Sequence, residues 1–229
     1  MRSFSTLIAF SVAACAAAAA PPPRTELAYE FLRNGARVAE VVVRFEQDGG
    51  GYRLRETWKG RGVYALHGEA VRTSRGRVGP DGLRPEEFED RRAGRPAERA
   101  HFDRATGTLV FEARGERRSE PLAEPAQDRL SLFWTLAFDR VRARLPAAFA
   151  VVDGRGVSRQ VYEVDGIERL RVPAGEFAAL RLARRGDGPP ERRIELWLAV
   201  ERGHVPVRIL VIEADGTRLE QNAVRVGLP

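Results

Sequence analysis

Three histidines, His67, His101 and His204, are the side chains best suited to move a proton near neutral pH or to ligate a metal. None stands four residues from another, and no Cys-His cluster exists, so the usual metal-ligand spacings are missing. His101 and Asp103 lie two apart and would share one face of a strand. One imidazole and one carboxylate make a weak site, and metal binding is not expected. A serine nucleophile needs an adjacent base. The chain has no G-x-S-x-G, and Ser131 reads as a packed or backbone-bonded hydroxyl. Carboxylates cluster at Glu86, Glu87, Glu89 and Asp90. Glycoside chemistry needs two carboxyls facing across a cleft. This cluster sits beside Arg91, Arg92 and a turn, which predicts a solvated edge. No catalytic residue, metal or cofactor is assigned, and the chain reads as a non-enzyme.

Aromatic and apolar residues offer a different chemistry, the enclosure of an apolar ligand. The densest stretch is "QDRLSLFWTLAF", Gln127 to Phe138. Leu130, Phe133, Trp134, Ala137 and Val141 recur at i, i+3, i+4, i+7 and i+11, with Leu132 and Leu136 as a second row. Only Ser131, Thr135 and Asp139 form a polar stripe. The pattern predicts one helix near 128–144, apolar around most of its circumference and therefore buried. Asp128 stands at the N-cap position, Arg140, Arg142 and Arg144 near the C-terminal dipole, and Pro146 is the stop. Such a helix would run roughly 25 Å. Gln127 and Asp128 are either its cap or polar groups at a cavity mouth that fix a headgroup. Trp58, Trp134 and Trp197 either pack the core or line a pocket, and Trp197 alternates with Leu196 and Leu198 in a way that could turn it to the other face. The candidate ligand-binding residues are thus Trp58, Gln127, Asp128, Leu130, Phe133, Trp134 and Trp197.

The rest of the chain is what must position these groups, and it has period two. "ELAYEFL" sets Leu27, Tyr29 and Phe31 on one face, and Asn34-Gly35 is a strong hairpin signal because both residues accept positive φ. "YRLRETWK" alternates Tyr52, Leu54 and Trp58 with charged or polar residues. Turn signals recur about every 8–14 residues, as in a sandwich or barrel of antiparallel meanders. They include "GPDGLRP", "AGRP", "VDG", "PAG" and "ADG". Arg208–Ile212 is apolar on both faces and should sit centrally. Roughly a dozen strands exceed what a flat sheet carries, so the fold is mainly β: a strongly curved antiparallel sheet, a barrel or half-open barrel or sandwich, with the one helix laid into its concave side.

The 229 residues suit one domain, read as 27–229 after a linker at 21–26. Residues 1–20 read as a secretory signal peptide: Arg2, an apolar Thr6–Ala20 run too short to span a bilayer, and small residues for cleavage after Ala19. In the alternative, "VAAC" is a loose lipobox and Cys15 carries lipid. Cys15 is the only cysteine, so no disulfide forms within the chain. The net charge of +6 is carried almost wholly by Arg, in pairs interleaved with acids. No basic stripe suggests nucleic acid, whereas anionic headgroups remain compatible partners.

Three blocks, "QDRLSLFW", "YEVDGIERLRVPAGEFAALRL" and "IELWLA…HVPVRI", together with the early hairpin and a "GLRP" turn at Gly82–Pro85, resemble the bacterial envelope family designated domain of unknown function 3108. The resemblance runs from about Leu27 to about Val224 and implies an exported β-rich protein without an agreed activity. The overall shape is similar to half-open lipoprotein carriers, an analogy of fold alone. The expectation is a periplasmic protein without a transmembrane span in its mature chain. It would bind an apolar or amphipathic, lipid-like envelope molecule. The alternatives are a structural or protein-interaction component of the envelope with a filled core and, last, an envelope hydrolase.

Overall fold

A computed structural model describes residues 20–185 and 192–228. The expected signal peptide and Cys15 fall outside the described residues, apart from Ala20. Among the described residues fifteen strands form one sheet. The first eight are β1 (Arg24–Arg33), β2 (Ala36–Asp48), β3 (Gly51–Gly60), β4 (Glu69–Gly79), β5 (Gly82–Arg92), β6 (Glu98–Asp103), β7 (Thr108–Ala113) and β8 (Glu116–Pro121). After the three-residue β9 (Ala126–Asp128) come β10 (Ala147–Val152), β11 (Val157–Val172), β12 (Gly175–Arg185), β13 (Arg193–Ala199), β14 (Val205–Ile212) and β15 (Arg218–Gly227).

Successive strands pair within β1–β8 and within β9–β15, and β1 pairs with β15 to join the two halves; β8 and β9 are the free edges. Every pairing is antiparallel except β9 with β10. The sheet curls without closing. Its seam is stitched by other contacts: Gln127 Nε2 donates to Leu83 O at 2.7 Å, Arg104 pairs with Glu124 at 2.8 Å, and Arg155 pairs with Glu98 at 3.3 Å.

Alternation builds this sheet. In β2, Ala39, Val41, Val43 and Phe45 are buried, while Glu40, Arg44 and Glu46 are exposed. The expected hairpin forms, with φ of 50° at Asn34 and 81° at Gly35. β14 lies inside the sheet, as expected, between β13 and β15. The outward arginines meet carboxylates, among them Arg75 with Glu87, Arg77 with Glu86, and Arg99 with Glu89. These exposed pairs add little stability each. They account for the interleaved charge of the sequence, and Glu86, Glu87 and Glu89 lie on the outer surface as expected.

Three expectations need correction. Residues 24–26 of the expected linker are already strand, and Pro23 O accepts from Gln47 N–H at 2.9 Å. The "VDG" signal is not a turn: the chain runs straight through it as β11, and Gly166, at φ 113°, takes up a bulge. The single helix is instead two short ones, α1 (Ser131–Thr135) and α2 (Asp139–Arg142), separated at Phe138, which is extended at φ −85°, ψ 133°. The break leaves Leu136 and Ala137 carbonyls without helical partners, and the Arg142 guanidinium donates to both. That compensation lets Leu136, Ala137, Phe138 and Val141 all bury in directions a straight rod could not reach.

Candidate ligand-binding site

Cross-strand partners share a face, so the register defines rungs across the inner wall. One rung runs Val43–Glu56–Arg72–Asp90; the next toward the rim runs Val41–Trp58–Ala70–Arg92. On the other side lies Phe45–Leu54–Ser74–Phe88. The interior therefore has an apolar floor, a charged middle layer and a mixed rim.

The charged layer is buried and well paired. Arg72 donates to Glu56 at 2.8 Å and to Asp90 at 3.0 Å, and Arg92 reaches Asp90 at 2.7 Å. Burial would raise the Asp90 carboxyl, yet Arg92 and Arg72 together hold it below the ordinary carboxylate range. Asp90, which the sequence groups with its exposed neighbours, faces inward because it lies one residue out of step with Glu87 and Glu89.

Above this layer an apolar vestibule of about 520 Å³ opens at the rim. Phe31, Trp58, Ala70 and Leu219 wall it. Phe31 and Trp58 meet edge to face with ring centroids 4.7 Å apart. Tyr64 also lines the vestibule, from a 3₁₀ turn at Gly62–His67 that the sequence reading had not anticipated. On that turn Val63 is 72% and Leu66 88% exposed, so the rim carries an apolar lip. Deeper lies an inner chamber of about 240 Å³, which shares Phe31, Trp58 and Leu219 with the vestibule. Leu130, Phe133 and Trp134 line it, with Arg72, Arg129 and Arg192.

The candidate residues divide accordingly. Trp58, Leu130, Phe133 and Trp134 are brought to the cavities. Trp134 also stacks on Phe45 at 4.5 Å and is nearly wholly buried, so much of its role is core packing. Gln127 and Asp128 are not at a mouth. Both are buried and saturated by protein partners: Gln127 Oε1 accepts from Thr135 at 3.0 Å, and Asp128 Oδ1 accepts from the Leu130 and Ser131 N–H groups at 2.8 and 2.9 Å. Asp128 caps the N–H groups that open α1, and Gln127 ties β9 to Leu83 and Thr135. Trp197 lies three residues beyond Ile194, which lines the chamber, and so points to the outer face. There it is flanked by Arg208 and Arg181, with ring distances of 4.7 and 5.5 Å, and its Nε1–H donates to Glu168 at 2.5 Å.

Phe31, Arg72, Arg129 and Leu219 were not singled out as site residues. Phe31 was legible through its alternation with Leu27 and Tyr29; the inward aim of the two arginines had no local signal. His101 is exposed, and Asp103 uses Oδ1 to accept the Ala105 and Thr106 N–H groups. Among the described residues no three His, Cys, Asp or Glu side chains gather as a metal site would require. No described helix is long and apolar enough to cross a membrane.

Solved structures resemble this architecture. A beta-barrel-like protein of domain of unknown function DUF1849 from Brucella abortus superimposes with a TM-score of 0.61 at 12% identity, covering 91% of this chain and 99% of that one. A "putative lipoprotein" from Parabacteroides distasonis ATCC 8503 aligns over 92% of this chain and 98% of its own, with 10% identity and a TM-score of 0.39. At such identity the first likeness is one of fold alone. No curated protein matches the chain. The sequence matches DUF3108, described as a protein of unknown function, over residues 25–222, and the chain accordingly belongs to that family.

Proposed function

We propose that this protein is a non-enzymatic binder of an amphipathic, lipid-like molecule of the bacterial envelope, acting in the periplasm. The observation that carries the reading is the apolar vestibule between Phe31, Trp58, Ala70 and Leu219, whose volume of about 520 Å³ falls in the range of small-molecule sites. An acyl chain would lie there against the aromatic pair. Each methylene withdrawn from water contributes about 0.8 kcal/mol. The exposed Val63 and Leu66 give an entering chain an apolar surface at the rim.

The test is native mass spectrometry of protein prepared from periplasm without detergent, followed by solvent extraction, for the wild type and for Ala70→Phe. Ala70 faces Trp58 across β3 and β4, so a phenyl ring there fills the vestibule and leaves the floor of the curled sheet untouched. An adduct of lipid mass in the wild type, lost in Ala70→Phe, supports the reading. No adduct after incubation with envelope lipids sinks it.

A second reading, a protein-interaction component, draws on a different surface. Val164 and Ile167, on either side of the bulge of β11 and opposite Leu182 and Leu180, are 47% and 68% exposed. Crosslinking through a photoreactive residue at Ile167 tests it: a specific envelope protein supports the reading, and no adduct removes it.

A further inference from the structure

We infer that the bound molecule carries a compact anionic head, a carboxylate or a phosphate monoester, and that Arg129 in the inner chamber receives it. The inference rests on the binding reading above and assigns the orientation of the ligand: head inward, chain outward through the vestibule.

Five charged side chains line the inner chamber, and four are already answered by the protein. Arg72 is held by Glu56 and Asp90. Arg192 reaches Glu213 at 3.3 Å. Glu56 is taken by Arg72, and Asp153 Oδ1 accepts the Arg155 and Gly156 N–H groups at 3.0 and 3.1 Å. Arg129 is the exception. It lines the chamber, and among the described residues its guanidinium makes no hydrogen bond and no ion pair. Its backbone is fixed: Arg129 N–H donates to Val152 O at 3.0 Å, and the Asp128 cap holds the next turn. Enclosure, and then the charge of Arg72, bring the guanidinium down to about 10, so it remains a cation at neutral pH.

A half-buried guanidinium without a direct counter-ion keeps its donors open to an anion. The planar guanidinium offers two parallel donors to a carboxylate or phosphate. A second unanswered donor points the same way. Trp58 Nε1 is buried without a partner in the wall common to chamber and vestibule. The chamber also holds an unanswered acceptor, Gln221 Oε1, an amide whose rotation presents its NH₂ group instead. The inner volume of about 240 Å³ suits a carboxylate or phosphate head.

Wild-type protein is titrated with four probes of equal chain length: laurate, dodecyl phosphate, dodecanol and dodecylamine, each below its aggregation concentration, with tryptophan fluorescence and calorimetry as readouts. The expected result is that the anions bind about tenfold or more tighter than dodecanol, and that dodecylamine binds weakest. Laurate against dodecyl phosphate then identifies which acid is preferred. Arg129→Gln should bring the anions to the dodecanol level without changing dodecanol itself, and Arg129→Lys should recover part of the difference. If Arg129→Gln does not fold, Arg129→Lys and a salt titration of the wild type carry the test. Equal binding of all four probes overturns the anionic head while leaving the binder reading intact. A preference for anions that survives in Arg129→Gln, or that surface-like salt screening abolishes, overturns the role of Arg129. No binding of any probe removes both.

Discussion

The carboxylate of Asp128 and the hydroxyl of Ser74, 54 residues apart in sequence, lie 2.5 Å apart with both side chains fully buried. Ser74 in turn bonds the Tyr52 hydroxyl at 2.8 Å, and the other Asp128 oxygen accepts the N–H groups of Leu130 and Ser131. One polar chain thus ties the inner wall of β3 and β4 to the segment that fills the concave side of the sheet. Thr135 makes a parallel tie, accepting from Leu83 N–H at 3.1 Å and donating to Gln127. These ties hold Leu130, Phe133 and Trp134 against the cavity.

Burial pushes the Asp128 carboxyl up to about 6, despite the hydrogen bonds that favour its charged form. Its native value then lies above the unfolded one near 3.8, so the native state binds the extra proton between the two. Stability from this group is therefore greatest below about pH 4 and falls, by on the order of 3 kcal/mol, as pH rises to about 6. Asp128→Asn should abolish that slope. Its amide can donate to Ser74, which then donates to Tyr52 with the chain's polarity reversed. Asp128→Ala should lose about 2–4 kcal/mol by orphaning the cap and Ser74. Urea melts from pH 4 to 7 read all three, and an identical slope in wild type and Asp128→Asn refutes the assignment.

Arg72 answers both Glu56 and Asp90 in the interior. Arg72→Met leaves two buried carboxylates short of their partner and should cost about 3–5 kcal/mol. Adding Glu56→Gln and Asp90→Asn should return much of it, because neutral amides tolerate the loss. Asp90 also gives a pH effect of opposite sign to Asp128. Its depressed value contributes stability above the unfolded carboxylate range, lost as pH falls through the native value. Additive losses in the triple variant would show that the three act separately.

Gly82 opens β5 at φ 97°, and a Cβ there would stand 2.5 Å from Thr135 Cγ2. Gly82→Ala should therefore destabilise twice, through the strained backbone and by pushing α1 off the hairpin, for about 2–3 kcal/mol in all. Thr135→Ser removes the obstructing methyl and should rescue part of the loss in a double-mutant cycle. Purely additive effects would rule out this contact as the cause.

Val63 and Leu66 flank the vestibule but pack on little, so serine at both should leave stability unchanged. Uptake of a fluorescent acyl probe from vesicles should slow several-fold, with equilibrium affinity for the free probe nearly unaltered. An unchanged uptake rate in stopped-flow measurements would dismiss the apolar lip as an entry surface.

Local pattern carried much of this architecture. Period-two burial in β2, the Asn34-Gly35 turn and the apolar run of β14 are properties of neighbouring residues, legible without a partner. The burial of Leu130–Val141 was legible too, because a segment apolar all around must lie inside. Its division into two helices was not. That depends on Arg142 capping carbonyls at a break whose form follows the surrounding walls.

Strand alternation, turn chemistry and hydrophobic content already dictate a curled antiparallel sheet filled by one aromatic segment, because these preferences act over a few residues. The register of long-range pairing decided the site. It set Glu56, Arg72 and Asp90 on one inner rung, turned Trp197 outward, and made Asp128 a buried tie to Ser74 where a mouth residue had been expected. It also left Arg129 beside the inner chamber without a counter-ion. Which of many arginines meets a carboxylate, and which meets a cavity, follows from strands far apart in the chain, and no local spacing encodes it.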